Sequence, residues 1–185
     1  MIQDIQIAFW LLLPAAFANA APIFSATVPY FRRWNTPLDF GRTYRGKEIF
    51  GANKTWRGLL TGIIVATIIL WLQKISVAHT GWDHAVGHGV DYAHLPTLIL
   101  GPLFGLGALG ADAIESFFKR LRGIRPGRSW APFDQLDYVI GGILVSLLFV
   151  RLHFSAYLWM VAIWFTVHLL ASYIGWQVGL KKRPI

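Results

Sequence analysis

Five stretches of mostly apolar residues divide this chain, and each approaches the length of about 20 residues that a membrane-spanning helix needs. They lie at about 5–30, 59–72, 95–118, 138–150 and 157–178, where the second reaches 56–73 and the fourth 135–150 if their flanking residues are counted. The first contains Pro14 and Pro22, and the second and fourth are short. The pattern predicts an all-α polytopic membrane protein with five transmembrane helices, in one domain that covers residues 1–185.

Composition agrees with a membrane protein, since 55% of the 185 residues are hydrophobic and there are nine Trp and eighteen Gly. Trp concentrates at membrane interfaces and Gly permits close helix packing. The absence of Cys excludes disulfides and thiolate chemistry. A signal peptide that ends near Phe17–Ala21 is the competing interpretation of the first stretch. A signal peptide begins with basic residues, however, and the one charged residue before this apolar run is Asp4.

Basic residues predict the orientation of the helices. The segment 32–57 carries seven Lys or Arg, the segment 119–128 carries five, and the tail carries Lys181, Lys182 and Arg183. The loops on the other side hold only Lys74 and Arg151. The positive-inside rule therefore places the N-terminus outside and the C-terminus in the cytoplasm of a cell that carries this protein in its membrane.

Acidic residues cluster at the predicted cytoplasmic ends of spans three and four. Asp112, Glu115, Ser116 and Lys119 share one helix face, because their spacing is i, i+3, i+4 and i+7. Asp134 and Asp137 begin the next span. Spans three and four are consecutive and antiparallel, so we expect their acidic ends to meet. Oxygen ligands of this kind suit Mg²⁺ that is bound together with phosphates. Juxtamembrane salt bridges to the neighbouring cations are the alternative explanation.

A basic, glycine-containing loop leads into span two. Gly51 frees the backbone, and Asn53 or Thr55 can cap the helix so that N–H groups face a phosphate. Lys54 and Arg57 add positive charge. Loops of this composition flank many membrane helices, so the loop supports a phosphate site only in combination with the acids. Gly58 and Gly62 are spaced for helix packing.

A histidine-rich segment on the opposite side offers a second, less favoured site. His84 and His88 have the i, i+4 spacing of a zinc pair. Gly81, Gly87 and Gly89 oppose a helix there. The segment also contains His79, His94, Asp83 and Asp91.

An ordered set of motifs resembles the CDP-archaeol synthase family, within the wider phosphatidate cytidylyltransferase group. The motifs are Ala18-Asn19-Ala-Ala-Pro22, Pro37-Leu-Asp39-Phe-Gly41-Arg, Lys54-Thr-Trp-Arg-Gly58, Asp112-Ala-Ile with Ser116-Phe-Phe-Lys119-Arg120, and Asp134-Gln-Leu-Asp137. The chain departs from the bacterial phosphatidate pattern at Arg125-Pro-Gly and at Ser129-Trp-Ala-Pro-Phe. Both departures favour the archaeol-type branch.

The resemblance implies that CMP passes from CTP to an unsaturated archaetidic acid, 2,3-bis-O-geranylgeranylglycerol 1-phosphate, at a cytoplasm-facing site with Mg²⁺. It implies the partners CTP, a lipid phosphate and the membrane. The sequence contains no aromatic and basic RNA-binding motif, so no nucleic-acid partner is expected, and a homodimer is left open. Ester-linked phosphatidic acid is an alternative substrate, and a small cation transporter is an alternative class. The expected catalytic residues are Asp112, Asp134, Asp137 and Lys119; the metal ligands are Asp112, Asp134, Asp137 and Glu115; the CTP and phosphate contacts are Lys54, Thr55, Arg57, Ser116, Lys119, Arg120 and Asn19.

Overall fold

The computed structural model describes residues 1–81, 86 and 89–179, and most of them are helical. The helices are α1 (Ile2–Leu11), α2 (Leu13–Thr27), α3 (Pro29–Arg32), α4 (Trp56–Thr80), α5 (Thr97–Leu121), α6 (Phe133–Ser146) and α7 (Phe154–Gln177), with a short 3-10 helix at Tyr92–His94. Two strands of two residues each, β1 (Thr43–Tyr44) and β2 (Lys47–Glu48), form an antiparallel hairpin that the apolar pattern did not predict.

Four helical segments of the described chain are long and apolar enough to cross a membrane. They are Ile2–Thr27, Trp56–Thr80, Thr97–Leu121 and Phe154–Gln177. The protein is therefore an integral membrane protein. The fourth predicted span corresponds to α6, which has only 14 residues and is followed by a turn that reaches Phe149.

The first span is a broken helix. Its two parts meet at Leu12, and Pro14 occupies the first turn of α2, where its missing N–H costs no hydrogen bond. Pro22 lies inside α2 and leaves the Ala18 carbonyl without its helical donor. That carbonyl faces Gly62 of α4, where an added methyl group would lie 3.0 Å from it. The spacing of Gly58 and Gly62 thus serves helix packing, as predicted.

The helices α2, α4, α5 and α6 pack successively, and α7 packs on α1 and α6. The helices α5 and α6 approach each other closely, since a methyl group on Gly141 would overlap the Gly107 carbonyl. Hydrogen bonds tie α7 to α1 and α6: Trp164 Nε1 donates to the Ala8 carbonyl at 3.1 Å, the Ser155 hydroxyl donates to Asp4 at 3.1 Å, and the Tyr138 hydroxyl donates to the Trp164 carbonyl at 3.0 Å.

The long loop between α3 and α4 is ordered, as the mixture of glycine, aromatic and charged residues predicts. Buried Asp39 accepts hydrogen bonds from the N–H groups of Gly41, Phe50 and Gly51. Beyond the β1–β2 turn, Lys47 Nζ donates to the Leu121 carbonyl at 2.6 Å. This bond fixes the loop against the end of α5, so both basic loops lie at the same end of the bundle.

At the opposite end, the described part of the histidine-rich segment forms one histidine–carboxylate pair. His94 Nδ1 lies 2.7 Å from Asp91 Oδ2, and this hydrogen bond lowers the pKa of Asp91. His84, His88 and Asp83, on which the zinc alternative depends, lie outside the described residues.

Candidate active site

Three carboxylates converge between α5 and α6. Asp112, Glu115 and Asp137 each place one oxygen within 4.8 Å of the oxygens of the other two. The contact between Gly107 and Gly141 explains this, because two helices without side chains at their crossing can approach until the following turns touch. Three like charges at this distance repel one another, so the cluster needs cations beside it.

Two lysines supply part of that positive charge. Lys54 Nζ lies 2.6 Å from both oxygens of Asp112. Lys119 Nζ lies 2.6 Å from Asp134 Oδ1 and 3.7 Å from Glu115 Oε1. The predicted alternative of ion pairs is therefore present, and it involves the same carboxylates as the cluster.

Asp134 lies beside the cluster and is already held by two donors. Its Oδ1 accepts from Lys119, and its Oδ2 accepts from the Trp130 N–H at 2.6 Å. The second bond closes the loop that precedes α6, since Trp130 stands four residues before Asp134. Asp137, one turn further along, is 7% exposed and points to Asp112.

The loop before α4 has the geometry of an anion site. Thr55 is the N-cap, and its hydroxyl accepts the Gly58 N–H at 3.1 Å. Gly51 has φ of 90°, a conformation that side chains disfavour, and its N–H is held by Asp39. The Trp56 N–H donates to the Thr36 carbonyl and the Gly58 N–H donates to Thr55, so the first turn of α4 offers an anion the Arg57 N–H and the positive end of the helix dipole.

A cavity of about 1310 Å³ joins the loop and the cluster. This exceeds the 300–1,000 Å³ of most small-molecule sites, so the cavity can hold more than one reactant. Arg120 is 7% exposed, and its Nε and Nη1 have no hydrogen-bond partner in the described chain. The predicted site residues that line this cavity are Asn19, Lys54, Thr55, Arg57, Asp112, Ser116, Lys119, Arg120, Asp134 and Asp137.

Glu115 is the one predicted site residue that does not line the cavity. It is 8% exposed, and its Oε1 accepts no hydrogen bond. Its ion-pair partner, Lys119 Nζ, lies at 3.7 Å, which is beyond hydrogen-bond distance, and a buried carboxylate oxygen without a hydrogen bond is unusual. Together with the two neighbouring carboxylates, it is an oxygen-only donor set of the kind that holds a hard divalent cation, so the residues present fit Mg²⁺.

Four residues outside the predicted set also contribute to the site. Gln135, His168 and Ser172 line the cavity, and Asp39 orders the loop that carries Lys54. Asp39 could have been found from the turn-forming Asp39-Phe-Gly41 sequence, since Asp binds the backbone two residues on. The other three carried no signal, because single polar residues in apolar helices are more often packing residues.

Comparison with known proteins shows the family of this chain. The family model described as CarS-like, CDP-archaeol synthase, matches residues 1–185. The CDP-archaeol synthase of Pyrococcus furiosus is 38% identical over 74% of this chain and 71% of its own length. That of Methanosarcina barkeri is 34% identical over 94% of this chain and 99% of its own length.

A solved structure has the same architecture. It belongs to an intramembrane enzyme of archaeal membrane lipid biosynthesis, with a TM-score of 0.72 and 28% sequence identity. The alignment covers 89% of this chain and 91% of the other. The motifs, the site and these matches extend over nearly the whole chain, and we conclude that it belongs to the CarS-like family of CDP-archaeol synthases.

Proposed function

We propose that this protein transfers CMP from CTP to an unsaturated archaetidic acid, which gives CDP-archaeol and pyrophosphate. The observation that carries the proposal is the joining of two parts in one cavity: a carboxylate cluster suited to a divalent cation, and buried cations suited to phosphates. Family membership supplies the reaction, since the relatives are CDP-archaeol synthases.

Asp112, Glu115 and Asp137 are the proposed ligands of Mg²⁺. Asp134 lies beside them and accepts a hydrogen bond from Lys119. When bound, the ion neutralises charge on the triphosphate. Asp134 was also expected to be a ligand. Its two present hydrogen bonds support a different primary role, which is to position Lys119 and to close the loop at Trp130.

Lys54, Arg57, Lys119 and Arg120 are the proposed phosphate contacts, together with Thr55 and the backbone N–H of Arg57. The unpaired Nε and Nη1 of Arg120 support this role, because a phosphate accepts two parallel bonds from one guanidinium. Ser116 can donate a further hydrogen bond from the wall of α5.

The chemistry requires no nucleophilic side chain. An oxygen of the lipid phosphate forms a new bond to the α-phosphorus of CTP, and the bond from that phosphorus to the bridging oxygen breaks. Pyrophosphate leaves with the bonding electron pair. The protein contributes positioning and charge neutralisation, which suffice for this class of transfer.

The finer topology is part of the proposal. We place the N-terminus outside, the C-terminus in the cytoplasm, and α6 as a fifth, short span in the cell membrane. The charge distribution supports this placement, since the basic segments 32–57 and 119–128 lie at one end of the bundle. CTP then reaches the cavity from the cytoplasm.

Purified protein, Mg²⁺, CTP labelled at the α-phosphorus and a panel of lipid phosphates test the proposal. Label should enter the lipid with geranylgeranyl ether chains, and label at the γ-phosphorus should not. Preferential labelling of ester-linked phosphatidic acid would replace the proposed substrate, and no labelled lipid in the whole panel would overturn the reaction.

A further inference from the structure

A second cavity, of about 590 Å³, lies between α4 and α5 at the end of the bundle opposite to the carboxylate cluster. One wall is the run 95–99, where α5 begins. The other wall is one face of α4, because its residues are spaced i, i+3, i+4, i+7 and i+8. These residues of α4 are Trp71, Lys74, Ile75, Ala78 and His79.

The cavity lies on the surface that faces lipid, near one edge of the membrane. Leu98 and Ile99 of its lining are 85% and 62% exposed, as expected of apolar side chains that contact lipid. Lys74 lies about 27 Å along the helix axis from Trp56, the first residue of α4, at a rise of about 1.5 Å per residue. Because the hydrocarbon core is about 30 Å thick, Lys74 lies near its edge, in the leaflet away from the carboxylate cluster.

Lys74 gives this mostly apolar lining its one permanent charge among the described residues. Its Nζ donates to the Leu95 carbonyl at 3.5 Å, which uses one of its three N–H donors. No carboxylate of the described chain forms an ion pair with Lys74. A charged group at the edge of the hydrocarbon core is costly unless it is paired, so the two remaining donors favour an anionic partner.

We propose that this cavity binds an anionic phospholipid of the leaflet away from the active site, with its phosphate on Lys74 and one chain against the apolar walls. The phosphates of a bilayer lie at the edge of the hydrocarbon core, which is the depth of Lys74. Trp71 and Ile99 lie deeper along their helices than Lys74 and Pro96, so the chain below the phosphate contacts them. A soluble anion would gain the contact with Lys74 alone.

Native mass spectrometry of the full chain in detergent tests the inference by titration with a diether lipid that carries a phosphoglycerol headgroup. Wild type should form a lipid adduct that Lys74→Gln forms only at about tenfold higher lipid concentration, the effect of losing a hydrogen bond between charged groups. Arg151→Gln removes an exposed positive charge from the same predicted side of the membrane, outside this lining, and should change the affinity by less than about twofold.

A second pair of variants tests the apolar part of the cavity. Ile75→Trp should weaken the same adduct, because the larger side chain occupies the space of the lipid chain. Leu72→Trp is the matched control, since Leu72 is an exposed residue of α4 outside the cavity lining. It should leave the adduct unchanged.

Equal lipid binding in wild type and Lys74→Gln would overturn the inference, and so would an equal loss in Lys74→Gln and Arg151→Gln. Displacement of the lipid by glycerol phosphate, which has no chains, would assign the cavity to a soluble anion instead. A protein dimer that replaces the adduct and is lost in Ile75→Trp would assign this face to a second copy of the chain. If Lys74→Gln does not fold, the comparison of Ile75→Trp with Leu72→Trp decides.

Discussion

Lys54 Nζ lies 2.6 Å from both carboxylate oxygens of Asp112, a residue of the three-carboxylate cluster. A lysine in this position competes with a metal ion for the same oxygens. The loop that carries Lys54 is held by Asp39 and by the cap at Thr55, so the pairing is imposed by ordered structure. In the proposed function, Lys54 neutralises Asp112 before CTP and the metal ion bind, and then moves to a phosphate.

Replacement of Lys54 by Met should strengthen the binding of metal alone and weaken catalysis. Without the competing ammonium group, affinity for Mn²⁺ in the absence of nucleotide should rise about tenfold, as expected for the loss of a charge-assisted bond. CMP transfer should fall, because a phosphate contact is lost. Electron paramagnetic resonance of free Mn²⁺ measures the first effect.

Lys47→Met is the matched control, since Lys47 lies in the same loop and bonds only the Leu121 carbonyl among the described residues. It should leave the affinity for Mn²⁺ unchanged. Equal affinities for Mn²⁺ in wild type and Lys54→Met would show that Lys54 does not compete for the cluster.

Asp137→Asn and Asp134→Asn should separate metal binding from positioning. Asp137→Asn should lower the affinity for Mn²⁺ at least about tenfold, because it removes a charged ligand from the cluster. Asp134→Asn should lower it by a smaller factor and destabilise the loop at Trp130, because Asp134 is held by Lys119 and that backbone N–H. Limited proteolysis of the loop detects the second effect. A greater loss of Mn²⁺ binding in Asp134→Asn would reverse these assignments.

Arg120→Gln should weaken CTP binding by about tenfold or more, since a buried guanidinium with two unpaired donors loses its phosphate bonds. Arg125→Gln removes the same charge from an exposed position outside the cavity lining and should have little effect. Titration of CTP against both purified variants checks this. A similar loss in the two would indicate a general effect of charge.

Gly141→Ala should disrupt both packing and activity. The added methyl group would overlap the Gly107 carbonyl and separate α5 from α6. Overpacking of this kind costs about 1–3 kcal/mol, which corresponds to a fall in Tm of roughly 3–10 °C. Because Asp112 and Asp137 sit on the two separated helices, affinity for Mn²⁺ should also fall.

Gly110→Ala is the control for that variant. Gly110 also lies on α5, but a methyl group added there meets no atom of a neighbouring element within 4 Å. It should leave Tm unchanged or slightly higher, since Ala favours helix over Gly. An unchanged Tm in Gly141→Ala would contradict the packing that brings the cluster together.

Much of the helical architecture follows from local properties of the sequence. The apolar stretches predict the positions of α4, α5 and α7 to within a few residues at most ends, and Thr55 was predicted as a possible cap of α4. The C-terminal end of α4 extends to Thr80, past the predicted residue 73. Near that residue, Gln73 Nε2 donates to the Trp10 carbonyl and Lys74 Nζ donates to the Leu95 carbonyl, two contacts with distant segments that the apolar pattern does not encode.

Features that depend on contacts between distant segments were not predictable in this way. The hairpin at Thr43–Glu48 is stabilised by the contact of Lys47 with α5, which no local pattern encodes. The spacing of Asp112 and Glu115 predicted a shared helix face, but the pairing of Lys54 with Asp112 spans 58 residues of sequence. Gln135 required the cavity to be seen, because its unpaired oxygen is a property of the assembled helices.

A crystal structure with CTP and Mn²⁺ tests the central claim most directly, with diffraction data collected at the manganese absorption edge so that an anomalous difference map locates the ion. The account predicts one anomalous peak in contact with Asp112, Glu115 and Asp137, with the triphosphate between that peak and Arg120 and with Lys54 moved from Asp112 onto a phosphate. A manganese peak away from these three carboxylates, or a triphosphate bound outside the cavity, would contradict it.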